Sequence, residues 1–276
     1  MIRLIVNADD LGSGPLRDRG IFAAFQHGIV SSASLLANGP GFSTAAREVR
    51  ACGLPVGVDL NLSQGRPLAG VIAGLTDAAG NFPGKAALRS ILRAGHCDRT
   101  AIRRELLAQI EHVRAAGLAP DHLDTHQHCL LFPALTGLIA EVAEVSGIRA
   151  LRLPQPAEPA GSDPGGAMGK EMTLYRRLAP AARQTLHSAG LWTPHGLWGM
   201  PLLNRLDAVT LAATLAAIPA GSWELMTPPG YPDPHDPFGG PPRALELAAL
   251  TDPQSARLLG ARGIELTSFG ACACAC

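Results

Sequence analysis

The chain has 276 residues, 47% of them hydrophobic and 17% charged, and its 23 basic and 23 acidic side chains leave a formal net charge of zero. That is enough chain to bury a large core, without the clustered positive charge a nucleic-acid-binding surface needs. No apolar run approaches the roughly 20 residues of a membrane span, and the opening "MIRLIVNADD" ends in two carboxylates instead of a small-residue cleavage site, so a cytoplasmic protein is expected.

The β-branched run "RLIVNA" reads as a first strand. A helix follows over 15–28, with Leu16, Ile21, Ala24 and Phe25 near helical spacing and Gly28 placed to end it. "IVSSASLLAN" reads as a second strand, "GFSTAAREVRACG" as a second helix and "LPVGVDLNLS" as a third strand. The clearest helix is "TAIRRELLAQIEHVRAAG": Ile102, Leu106, Ile110 and Val113 share a face, with Thr100 to cap the start and Gly117 the end. "DHLDTHQH" is then a strand and its exit loop, 133–147 a helix, and "IRALRLP" another strand. Two Pro- and Gly-rich stretches, 154–169 and 228–243, read as long loops, a length typical of lids and mobile segments.

Strand and helix signals thus alternate, which predicts an α/β protein with parallel strands. With no linker in sight, one domain over 1–270 is expected, as a barrel more than an open sheet. The terminal "ACACAC" (271–276) is expected to be a disordered tail. Cys52, Cys97 and Cys129 are scattered singly, as reduced thiols would be.

Polar residues gather at the strand ends. Asp9 and Asp10 end the first strand, and Asp59 and Asn61 end the third. His122, Asp124, His126 and His128 alternate with period two, so an extended segment would aim all four to one face. Such a face is costly inside a sheet unless its groups bind one another, water or a metal. An isolated Asp-Asp pair is more often a cap, and an isolated His-x-His more often structural. Both together at the ends of separate apolar strands point to a metal or catalytic site.

The stretches "LIVNADDLG", "GIVSSASLLANG", "VGVDLNLSQGRPL", "HLDTHQH" and "WELMTPPGY" resemble, in order, the successive motifs of the YdjC-like carbohydrate deacetylases, from residue 3 to about 231. The resemblance implies a single-domain distorted (β/α) barrel of the polysaccharide-deacetylase type. It also implies one divalent metal ion (Mg²⁺, Zn²⁺ or Mn²⁺) and hydrolysis of the N-acetyl group of an amino sugar. Asp9 matches the family's base, and Asp10 and His126 match metal ligands. The family's third ligand is a histidine, and Asp59 holds that position. Asn61, Asp124, His128 and Arg152 become substrate-binding or ligand-supporting residues, with Arg152 free to contact substrate or pair with Asp9. Trp192, Trp198 and Trp223 offer faces on which a sugar ring can stack.

The family's late Met-x-His-Pro-Gly reads Met226-Thr227-Pro228-Pro229-Gly230 here, so Pro228 stands where a histidine is usual. Another group must then protonate the leaving amine. His128, His195 and His235 are candidates, and His235, just beyond the altered motif, is the one chosen. An aspartate oxygen binds Zn²⁺ at about 2.0–2.2 Å, much as an imidazole nitrogen does. Its extra negative charge favours harder cations such as Mg²⁺ or Mn²⁺. The expected partner is a small-molecule or oligosaccharide substrate, with no nucleic acid and no membrane span; a homodimer is allowed. The two departures also admit a repurposed barrel that binds a sugar-like ligand without turning it over.

Overall fold

Eight strands, paired only in parallel, carry the computed structural model, which describes residues 1–95 and 98–274. They are β1 (Ile2–Leu11), β2 (Ser32–Leu35), β3 (Val56–Leu60), β4 (His122–Thr125), β5 (Ala150–Leu151), β6 (Leu197–Trp198), β7 (Gly221–Thr227) and β8 (Ile264–Leu266). The order is β5-β4-β3-β2-β1-β7-β6. β1 is the longest and most central because Leu4, Ile5 and Val6 are apolar toward both faces and fully buried. Its first half pairs with β8, from Ile2↔Ile264 to Leu4↔Leu266, and its second half with β2, from Asn7↔Ser32 to Leu11↔Leu35.

The edges of this sheet meet through single bridges, Ala150↔Trp192 and Pro156↔Leu197. Around the second, Leu197 N–H donates to Gln155 O (2.8 Å) and Ala157 N–H to Leu197 O (3.0 Å). The sheet therefore closes, but β5 and β6 are only two residues long and the seam is thin. The result is a distorted α/β barrel in one domain, the class the resemblance implied.

Parallel strands need crossovers, and helices supply them. Pro15–His27 leads from β1 to β2, Phe42–Cys52 from β2 to β3, and Lys85–Ala94 with Arg99–Ala115 from β3 to β4. Pro133–Val145, Gly166–Ser188 and Ala208–Ala217 serve the next three connections, and Pro242–Thr251 with Pro253–Ala261 the last. The periodic residues of Arg99–Ala115 (Ile102, Leu106, Ile110, Val113) are all buried, as their spacing predicts. Its cap differs: Asp98, not Thr100, accepts the Ala101 N–H (2.9 Å), because an Ncap carboxylate reaches the N3 amide.

The tail also departs from expectation. Phe269–Cys274 forms a helix in place of a disordered end, since Phe269 and Cys272 have an apolar place to go. The Phe269 ring stacks on His122 (3.9 Å between centroids), and Gly270 N–H donates to the Asp121 carboxylate (2.9 Å), which together close the bottom of the barrel. Cys52, Cys129 and Cys274 are free thiols, while Cys97 and Cys276 lie outside the described residues. Among the described residues no helix is long and apolar enough to cross a membrane.

A candidate metal centre at the strand ends

Three side chains, two from β1 and β3 and one from the turn after β4, converge at the C-terminal end of the barrel. One ligand atom each from Asp10, Asp59 and His126 lies within 4.8 Å of the others. His126 Nδ1 is 3.1 Å from Asp59 Oδ2 and 3.2 Å from Asp10 Oδ1.

Local backbone explains how β1 delivers two neighbouring carboxylates to one pocket. Adjacent side chains on a regular strand face opposite ways. Here the pairing of β1 with β2 shifts register between Ala8 and Leu11, and Asp10 has a φ of 66°. This bulge turns Asp10 to the side that Asp9 already faces, and both line the pocket. On β3, Gly57 is required by a close approach: a Cβ there would lie 2.5 Å from the His122 ring.

The period-two alternation expected over His122–His128 holds only for its first half. His122 and Asp124 do share a face, and both meet Ser34 Oγ, His122 Nε2 at 3.5 Å and Asp124 Oδ2 at 2.6 Å. β4 ends at Thr125, and a tight turn follows in which Gln127 and His128 take left-handed φ of 57° and 61°. His122 sits lower in the barrel, bonded to Asp121 (2.7 Å), while His126 and His128 reach the pocket by the turn.

Beside these three side chains, Asp9 is gripped by Arg152, whose Nη1 and Nη2 donate to Asp9 Oδ2 and Oδ1 at 2.8 and 2.5 Å. Asn7 Nδ2 adds a bond to Asp9 Oδ1 (2.9 Å). The same guanidinium meets Asp124 Oδ2 (2.7 Å), and its Nε donates to Glu224 Oε1 (2.7 Å). One buried cation thus serves three buried carboxylates. Burial disfavours their ionised forms more than Arg152 favours them, so Asp9 is raised and Asp124 and Glu224 are pushed up to about 7. Burial works against Arg152 as well, but Asp124, Asp9 and Glu224 outweigh it and hold the guanidinium charged.

His126 and Asp10 behave in the opposite way. Burial would strip the proton from His126, yet Asp59 and Asp10 overcome it and hold the imidazole well above the usual histidine range. For Asp10 too, burial is outweighed, by His126, Arg17 and Arg152, and its carboxyl falls below the usual value. Two carboxylates gathered around a buried imidazole hold a positive charge between them. A divalent cation fits that place, taking over from the proton.

The pocket above these residues has a volume of about 340 Å³. Lys85, Gln64, His128 and Glu171 reach it from the segments after β3, β4 and β5, and Met200, Leu203, Met226, Pro228 and Phe238 from β7 and the segments after β6 and β7; Leu36, Met168, Arg17 and Asp236 line it as well. His128 stands edge-on to Tyr175 (5.4 Å, 88°), and its Nδ1 is buried without a hydrogen-bond partner. Burial, then the charges of Arg152, Lys85, Arg89 and His126, push it well below the usual histidine range, so it is neutral at pH 7.

Several expected site residues stand elsewhere. His235 is exposed on the 228–243 loop and does not line the pocket; from the same loop Asp236 and Phe238 do. His195 bonds Ser222 at the opposite end of β7. Asn61 spends its side chain on the loop that follows β3. Its Oδ1 accepts the N–H groups of Ser63 and Gln64 (2.9 and 3.0 Å), and its Nδ2 donates to Asn38 and Gln64. None of Trp192, Trp198 and Trp223 lines the pocket; Trp198 and Trp223 pack against each other (6.1 Å).

Residues that sequence reasoning passed over include Glu224 and Arg17. Glu224 could have been found as the lone charge inside "SWELM", a strand otherwise fit for burial. Arg17 could not, since an arginine in the first turn of a helix reads as solvated. It is 4% exposed and donates to Pro228 O (2.7 Å), Asp236 Oδ2 (3.0 Å) and Phe238 O (3.2 Å).

Comparison with known proteins agrees with this geometry. The family model described as YdjC-like protein matches residues 3–261. Carbohydrate deacetylase of Mus musculus is 34% identical, over 97% of this chain and 94% of that protein. Chitooligosaccharide deacetylase of Serratia marcescens is 34% identical over 78% of this chain and 93% of its own. A putative cellobiose-phosphate cleavage protein from Enterococcus faecalis V583 shares the fold, with a TM-score of 0.78 at 23% identity and 98% of both chains covered.

Proposed function

The chain belongs to the YdjC-like family, and from that premise we propose that it is a metal-dependent hydrolase that removes the N-acyl group, acetyl in the simplest case, from an amino-sugar substrate. The observation that carries the proposal is the convergence of Asp10, Asp59 and His126 beside an Asp9 fixed by Arg152, all in one pocket. The names of the relatives, carbohydrate deacetylase and chitooligosaccharide deacetylase, support the substrate class.

Asp10, Asp59 and His126 are the residues that would hold the cation. Bound there, it supplies a Lewis acid for the amide carbonyl and lowers the pKa of water. Two carboxylates and one imidazole shift the balance toward Mg²⁺ or Mn²⁺, compared with a set of one carboxylate and two imidazoles. Asp9 accepts the proton of the attacking water as general base. Arg152, held from behind by Asp124 and Glu224, keeps that carboxylate aimed at the pocket. Pro228 has no proton to give, so the proton taken by Asp9 is passed on to the leaving nitrogen. Neutral His128 offers that side of the substrate a hydrogen bond.

Pro228 also favours a second reading, a barrel that binds a sugar-like ligand without turnover. Acetate release from N-acetylglucosamine oligosaccharides by the Mn²⁺-loaded protein separates the two. Asp9→Asn should lower the rate by about 10²–10⁴, the range of general acid–base catalysis, with metal affinity measured by calorimetry unchanged. Stoichiometric metal with no acetate released at all would leave the binding-only reading standing.

A further inference from the structure

The lining contributed after β3, β4 and β5 differs in chemistry from that contributed on and after β6 and β7, and so do the two sides of the bond to be cleaved. An amide of an amino sugar has a polyhydroxylated amine on one side and an alkyl acyl group on the other. Lys85, Gln64, His128 and Glu171 present hydrogen-bonding groups that suit hydroxyls. Met200, Leu203, Met226, Pro228 and Phe238 present carbon and thioether surface.

The apolar side is a built feature. Met226 pairs in register with Asn7, and Pro228, one residue past the Ala8↔Thr227 pair, lies beside the Asp9 end of β1. Met200 is brought against β7 by Gly199, whose φ is 98° and whose Cβ, if present, would lie 2.5 Å from Met226 O. Phe238 is held by the guanidinium groups of Arg17 (5.1 Å) and Arg243 (4.5 Å). Pro228 is fixed through its carbonyl, which accepts from Arg17 (2.7 Å) and Arg243 (2.9 Å). Met200 and Met226 are 2% and 6% exposed, held in place by their packing.

Resting on the deacylase reading above, we propose that the preferred substrate is an amino sugar whose N-acyl group is an uncharged chain longer than acetyl, seated on Met200, Met226 and Pro228. The sugar lies toward Lys85 and His128, and the acyl chain enters the apolar end. Methionine side chains adapt to different chain shapes, which suits a linear acyl group. A charged acyl end finds no open partner there. Arg17 already serves Asp236, Pro228 O and Phe238 O, and Lys85 pairs with Glu171 at 2.7 Å.

The test compares N-acetyl, N-butyryl and N-succinyl forms of one glucosamine oligosaccharide. Dissociation constants are measured by calorimetry on Mn²⁺-loaded Asp9→Asn protein, and rates of acid release on the wild type. A buried methylene is worth about fourfold in affinity, so the butyryl form should bind about tenfold more tightly than the acetyl form and the succinyl form no better than the acetyl. Met200→Gln, similar in size but polar, should remove most of that preference. Equal or weaker binding of the butyryl form overturns the proposal, as does tightest binding of the succinyl form. Acetate release with flat chain-length dependence counts against this inference alone. Chain-length-dependent binding with no acid released from any form supports it and counts against the deacylase reading instead.

Discussion

Asp59 is where the residue scale decides most. Its carboxylate comes within 3.1 Å of His126 Nδ1, so the exchange of imidazole for carboxylate leaves three donors gathered. What changes is charge, since the donor set carries two formal negatives where a two-histidine set would carry one. That favours cations that bind oxygen and lowers the relative standing of Zn²⁺. Asp59→His should therefore raise affinity for Zn²⁺ relative to Mn²⁺ by tenfold or more in competition calorimetry; an unchanged ratio would mean that residue 59 is not a ligand. That Asp9, Asp10, Asp59 and His126 gather was legible in the sequence because each stands at or just past the end of an apolar strand. Glu224 was legible only as a lone charge in an apolar strand and Arg17 not at all, because their partners come from distant parts of the chain that meet only in the fold. Closeness in sequence to Pro228 says little about where a loop aims each side chain, and His235 is exposed while Asp236 and Phe238 of the same loop line the pocket.

At the scale of elements, strands and helices followed their periodicity, and the failures fell where the chain leaves a regular element. The left-handed residues after β4 and the bulge in β1 are what turn His126, His128 and Asp10 into the pocket, and no hydrophobic period encodes them. The 228–243 loop is a second such case. Its composition predicted a loop, but its anchorage comes from Arg17, which reaches both Pro228 and the Asp236–Phe238 turn. Arg17→Met preserves most of the buried stem and removes these three bonds. With one carbonyl and one carboxylate left short of donors, the expected loss of stability is about 1–3 kcal/mol. Proteolysis between 231 and 240 should quicken more than global unfolding does. If it instead tracks denaturation, the loop is held by its backbone bonds to Leu16 and Arg243, not by the arginine.

Over the whole molecule, burying so many carboxylates inside a closed barrel makes stability depend on pH in an uncommon direction. Asp18, buried in the first turn of its helix and accepting the Gly12 N–H at 2.7 Å, is pushed up to about 7 by burial, and Glu246 likewise despite Arg243. A carboxyl whose folded pKa is raised keeps its proton in the native state while the unfolded chain has lost it. Stability from such a group is therefore full below the unfolded value, near 4, and is lost as pH rises toward 7. His126, held protonated by Asp59 and Asp10, acts in the same sense: its contribution is present below the unfolded value near 6.5 and is lost as pH rises through its higher folded value. A cation at Asp10, Asp59 and His126 reverses the last of these, because it binds the deprotonated ligands and binds them better as pH rises. In EDTA, the melting temperature should thus fall steadily from pH 5 to pH 8, and with saturating Mn²⁺ it should fall less or rise. Asp18→Asn keeps an oxygen for the Gly12 amide and removes the titration, so in EDTA it should flatten the decline and be more stable than wild type at pH 8. A parallel decline in the variant would show that Asp18 ionises normally in the folded chain, and the pH dependence would then belong to the residues around Arg152.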